Sequence, residues 1–100
     1  MTYMSFWLEI RNRDSGEKKL KKDLPDPPSG RIGPYDLRYW AEREGLEIEY
    51  IDNCWVKVPA DHARLLAFLS ELYRPHDPFP TSALPSLSNE WEFVLVAEEF

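Results

Sequence analysis

Three side chains in this sequence belong to the types that nucleophilic or metal chemistry uses: Cys54, His62 and His76, set among scattered carboxylates. A thiolate–imidazole pair needs surroundings that favour the ionised thiol. Cys54 instead follows Asp52-Asn53 at a hairpin tip in a chain of net charge −6, and nearby negative charge opposes its activation. As the only cysteine it also rules out an intramolecular disulfide and a thiolate zinc site. His62 follows Asp61 in the first turn of a helix, where adjacent side chains diverge and do not converge on one metal ion. His76-Asp77 lies in a proline-rich connection with no further ligand at motif spacing. No nucleophile elbow, Walker loop or H-E-x-x-H helix motif occurs. The expectation is a protein with no catalytic residue, no metal site and no cofactor, and so not an enzyme.

The stronger signal is a surface. Side chains of a strand point alternately to its two faces. From Tyr3 to Arg11 this puts Met4, Phe6, Leu8 and Ile10 on one face and leaves Trp7 and Glu9 on the other. From Glu90 to Glu98 it puts Trp91, Phe93, Leu95 and Ala97 together, with Val94 and Val96 opposite, between Glu92 and Glu98. A hairpin in the middle of the chain leaves Ile51 and Trp55 on the outside. If helices cover only one side of the sheet, Trp7, Ile51, Trp55, Val94 and Val96 form an outer stripe, and Glu9, Glu49, Glu92 and Glu98 surround it. An apolar centre with Trp anchors and a polar rim is the anatomy of a protein interface. The competing expectation is that a proline-rich connection covers the stripe, with Phe79, Leu84 and Leu87 as its tethers, and makes it a second small core.

Two features point toward nucleic acid. Ser29-Gly30-Arg31-Ile32-Gly33 leading into a helix resembles the GXXG loop of KH domains, which implies a loop that clamps a backbone at a helix start. The sequence departs from that pattern where Pro34 follows the second glycine directly and a proline-rich tract stands in place of the preceding helix. Trp7 and Trp55 on neighbouring strands resemble the stacking platform of RRM domains, but Asn53-Cys54-Trp55-Val56-Lys57-Val58 lacks the glycine-rich basic RNP pattern. The rim is glutamate, and the one basic cluster is Lys18 to Lys22, which reads as a short return strand or a solvated loop.

These residues need a scaffold, and the patterning supplies one. A helix over Pro34 to the residue before Gly45 has proline at its first position, Asp36 in its first turn and glycine at its stop. Its buried stripe is Leu37, Trp40 and Ala41. A second helix, from about Ala60 to Tyr73, buries Leu65, Phe68, Leu69 and Leu72. Between them, Leu46–Ile51 and Trp55–Val58 pair best across a three-residue Asp52-Asn53-Cys54 loop. That register sets Ile51 against Trp55, Tyr50 against Val56 and Glu49 against Lys57. Proline-rich loops fall at about 23–34 and 75–89, the first with four prolines and two glycines between Asp23 and Pro34.

The order β-α-β-β-α-β predicts one α+β domain over residues 1–100. Its expected form is a two-layer α/β sandwich of ferredoxin-like type, with a four-stranded antiparallel sheet ordered 4-1-3-2 and two helices on one face. The composition, 14% aromatic and 43% hydrophobic, suits a folded core and not a disordered chain. The N-terminal MTYMSFWLEIR reads as a strand and not a signal peptide, and no apolar run reaches the ~18 residues of a membrane span, so a cytoplasmic location follows.

Together these readings predict a small acidic binding module without catalysis. Its partner is expected to be a basic protein, a toxin or nucleic-acid-processing enzyme, which it occludes as an inhibitor or immunity-type protein. The alternatives are a homodimeric regulatory domain using the same face and an RNA-binding module of KH or RRM type; nucleic acid is disfavoured by the net charge, and no membrane partner is expected.

Overall fold

The helix-facing side of the sheet is built row by row. In the computed structural model, which describes residues 4–27, 30–52, 54–73 and 86–99, β1 (Met4–Asn12) lies antiparallel to the last strand, β5 (Trp91–Glu99), and β5 antiparallel to β4 (Trp55–Ala60). The registers align Phe6, Ala97 and Val56 in one row, Leu8, Leu95 and Val58 in the next, and Ile10, Phe93 and Ala60 in a third. All nine are buried. The helices α1 (Pro34–Glu44) and α2 (His62–Leu72) pack on these rows through Leu37, Trp40 and Ala41 and through Leu65, Phe68 and Leu69. Trp40 stacks on Phe68 with ring centroids 4.0 Å apart, which locks the two helices together.

Local chemistry sets the helix limits. Pro34 occupies the first turn of α1, and Gly45 ends it with φ 69°, in the left-handed region that glycine enters without a Cβ clash. The Asp61 carboxylate accepts the Arg64 backbone N–H at 2.8 Å and starts α2. The first proline-rich loop is tied down by buried Leu24 and Ile32 and by the Tyr73 hydroxyl, which donates to the Pro25 carbonyl.

The topology differs from the ferredoxin-like expectation. The sheet has five strands in the order β2-β1-β5-β4-β3, each neighbouring pair antiparallel, where β2 is Lys18–Asp23 and β3 is Glu49–Asp52. The last strand, expected at an edge, stands in the centre, between β1 and β4. The reason is its unbroken apolar run Phe93-Val94-Leu95-Val96-Ala97: five consecutive buried residues are satisfied only by a strand covered on both faces. The Lys18–Lys22 run is a strand after all and forms the edge beyond β1, where exposed lysines suit a free edge.

The hairpin also corrects the expected register at one end. Glu49 faces Lys57 and Tyr50 faces Val56 as the alternation requires. Asp52, however, pairs with Trp55, and the register shifts between Tyr50 and Asp52. Two residues therefore separate the paired positions, not three. Ile51 is the extra residue of a bulge, which lets a shorter connection close without flipping Tyr50 and Glu49 to the wrong faces.

Candidate partner-binding face

The outer side of the sheet is read from the same registers. Asp23, Trp7, Val96 and Lys57 form one row; Lys21, Glu9, Val94 and Pro59 form the next. Ser5, Glu98 and Trp55 lie in line on one side, and Arg11 and Glu92 on the other. Because β5 stands between β1 and β4, Trp7 and Trp55 are not on adjacent strands as the 4-1-3-2 order requires. Both belong to one cluster with the small valines of β5.

The middle of this face is closed. Trp7 is 4% exposed, Val94 and Val96 are fully buried, and Trp55 packs half-buried against them, forming a cluster separate from the main core. Glu9, placed on the rim by the sequence, is 1% exposed and sits inside this cluster's polar flank. Its Oε1 accepts the Trp7 indole N–H at 2.9 Å and lies 3.3 Å from Lys18 Nζ, while Lys57 Nζ approaches Oε2 at 3.9 Å. Lys21 Nζ stands 4.3 Å from the Trp7 ring centroid, a cation–π contact that lays the lysine stem over the indole. Lysines from two flanking strands thus reach over β1 and β5. The valines make this possible, since a larger side chain on β5 would stand between Lys57 and Glu9.

The rim divides into two ends. At one, Arg11 donates to both carboxylate oxygens of Glu49, at 2.9 and 2.7 Å, and to Glu92 at 3.1 and 2.7 Å, joining β1, β3 and β5. Hydrogen bonding to Arg11 is the main reason the Glu49 carboxyl titrates below its ordinary value, and the same bonds hold the Arg11 guanidinium more firmly charged. A carboxyl with a depressed folded-state pKa stabilises the fold above its unfolded value of about 4.3 and stops doing so as pH falls through the folded value. Arg11→Met is therefore expected to cost about 1–2 kcal/mol at neutral pH, with the half-exposed Glu49 side discounted for screening. Urea unfolding between pH 7 and about 3 should show a shallower acid loss in the variant than in the native chain. Equal slopes would mean the pair is not linked to folding.

At the other end, Trp55 and Glu98 face outward, half-buried, while Glu99, paired with Met4, takes the helix-facing side by alternation. The side chain of Ile51, the remaining expected anchor, lies outside the described residues, as do His76, Phe79 and Leu84. Leu87 packs half-buried on the main core. Cys54 is exposed, and His62 rests its ring 5.9 Å from that of Phe93. The second glycine of the GXXG-like loop serves the local fold. The Gly33 N–H donates to the Asp36 carboxylate at 3.0 Å, and a Cβ on Gly33 would meet Met4 Sδ at 3.3 Å, so its small size serves close packing on β1.

What sequence reasoning missed was the covering role of Lys18, Lys21 and Lys57 and the clamp made by Arg11. The signal was present: Lys21 is set opposite Glu9 once KKLKK is paired with β1.

The described residues define an antiparallel α+β protein with both helices on one sheet face and the other face closed at its centre by Trp7, Val94 and Val96. No helix among the described residues is long and apolar enough to cross a membrane. No protein-family model matches this chain, and no curated protein or solved structure matches it.

Proposed function

We propose that this chain is a non-enzymatic binding module, of inhibitor or immunity type, that occludes a basic protein partner such as a toxin or nucleic-acid-processing enzyme. The observation that carries this reading is how charge is spent. Arg11, Arg13, Lys18, Lys57, Arg31, Arg43 and Arg64 pair with carboxylates of the same chain, and Lys19, Lys21, Arg38 and Lys57 lie over aromatic rings. Glu42, Glu47, Glu90, Glu98 and Glu99 have no ion-pair partner among the described residues. The charge left for a partner is negative, and an anionic surface steers association with a basic one.

On this reading Trp55, Ile51 and Glu98 make contact. Trp7, Val94, Val96 and Glu9 form the rigid floor beneath, with Glu49 and Glu92 held by Arg11. Affinity capture from a host lysate at low salt, with native protein and a Trp55→Ser/Glu98→Lys variant, tests it. A basic protein is expected that the variant fails to retain, and whose activity the purified native chain inhibits in a salt-sensitive manner. Equal capture by both, or a captured protein whose activity is unchanged, overturns the reading.

A further inference from the structure

The helix layer carries an exposed feature that the sheet-face reading does not use. On α1, Tyr35 is 69% and Tyr39 61% exposed, although tyrosine is a residue that burial rewards. With Arg38 and Glu42 they occupy positions i, i+3, i+4 and i+7, a single stripe along the helix. Arg38 lies 5.6 Å from the Tyr35 ring centroid. The four residues line a shallow depression, and both tyrosines also wall the cleft between α1 and α2, whose floor includes Trp40, Phe68 and Leu72.

We propose that this stripe is a twofold contact between two copies of this chain. The stripe is self-complementary. Positions 35 and 42 are equidistant from the stripe's midpoint, as are 38 and 39. A second α1 laid antiparallel therefore brings Tyr35 beside the partner's Glu42 and Arg38 beside the partner's Tyr39, and the symmetry repeats both pairings. A phenol O–H donates to a carboxylate in the first, and a guanidinium covers a ring in the second. Arg38 also comes within long side-chain reach of the partner's Glu42, so the basic half of each stripe meets the acidic half of the other. An isologous interface requires that the same patch complement itself. An unrelated partner would have to reproduce this order of aromatic, cation and anion, whereas a second copy supplies it automatically. The patch is small, so the dimer is weak and dissociates on dilution.

Sedimentation velocity across roughly 5 µM to 1 mM, the range in which a few-residue interface dissociates, tests the proposal. The native chain is expected to shift from monomer to dimer as concentration rises. Arg38→Glu and Glu42→Arg should each weaken self-association at least tenfold, because each sets like charges against each other across the axis. An equimolar mixture of the two variants should recover a heterodimer, since one stripe is then wholly acidic and the other wholly basic. Circular dichroism confirms that both variants fold. A native chain that stays monomeric throughout, a dimer that survives either single change, or a mixture that stays monomeric overturns the proposal. Neither variant touches the sheet face and no other protein is present, so failure here leaves the proposed partner-binding role untouched.

Discussion

Trp7→Ala is expected to lower the unfolding free energy by about 3–5 kcal/mol, the range for emptying a buried aromatic site. The indole is 4% exposed, packs on two fully buried valines and donates its N–H to Glu9 at 2.9 Å. Its loss removes apolar burial, the Lys21 ring contact and one hydrogen bond to a buried carboxylate together. Trp55→Ala, by contrast, removes a half-buried ring at the margin of the same cluster, and should cost well under half as much. Urea unfolding followed by far-ultraviolet circular dichroism measures both. If Trp7→Ala unfolds within about 0.5 kcal/mol of the native chain, a surface-type effect, then Trp7 is a free surface residue and the sealed outer cluster is wrong.

Glu9→Leu alone is expected to cost about 3 kcal/mol, because it takes the buried carboxylate from Lys57, whose side chain is only 12% exposed and keeps only Glu49 across the hairpin and the Trp55 ring. Lys18, half in solvent, loses little by turning outward. Adding Lys57→Met should return stability to within about 1 kcal/mol of the native chain or above it, since replacing a whole buried ion pair by apolar groups is commonly neutral or stabilising. The double-mutant cycle isolates this coupling. A Glu9→Leu chain as stable as the native one would show that Lys57 finds solvent without its acid. A double variant no better than the single would show that Glu9 acts through Trp7 alone. Because the pair is largely buried, the Glu9→Leu loss should change little with added salt, unlike that of an exposed bridge.

Both helices were readable from the chain because their limits are set by neighbours in sequence. Pro34 and Gly45 bracket α1 through backbone geometry alone, and Asp61 caps α2 with its own side chain. The inner faces were readable for a similar reason: alternation in Phe6-Leu8-Ile10 and Phe93-Leu95-Ala97, and the three- and four-residue spacing of Leu65, Phe68 and Leu69, place them on one core without knowing the strand order. Most of the hairpin register followed from opposing Glu49 to Lys57.

Strand order was not readable that way, because alternation says which face a residue takes and nothing about which edge its strand pairs. The discriminating detail was the run Phe93 to Ala97, apolar at every position, against the charges that punctuate every other strand. A strand without polar residues over five positions needs cover on both faces and neighbours at both edges. Once β5 is central, β2 becomes an edge beside β1, and its lysines fall within reach of Trp7 and Glu9.

The sequence by itself determined both helices, four of the five strands, their inner faces and the acidic balance, because each depends on residue type and short-range spacing. Tertiary structure alone decided whether the outer stripe is exposed. Trp7, Val94 and Val96 are closed over by packing between separate strands of the sheet, and Glu9 is buried where Lys18 of β2 and Lys57 of β4 converge on it from opposite sides. A charge enters an interior only where its counter-charge is delivered to it, and that delivery is a property of the assembled sheet.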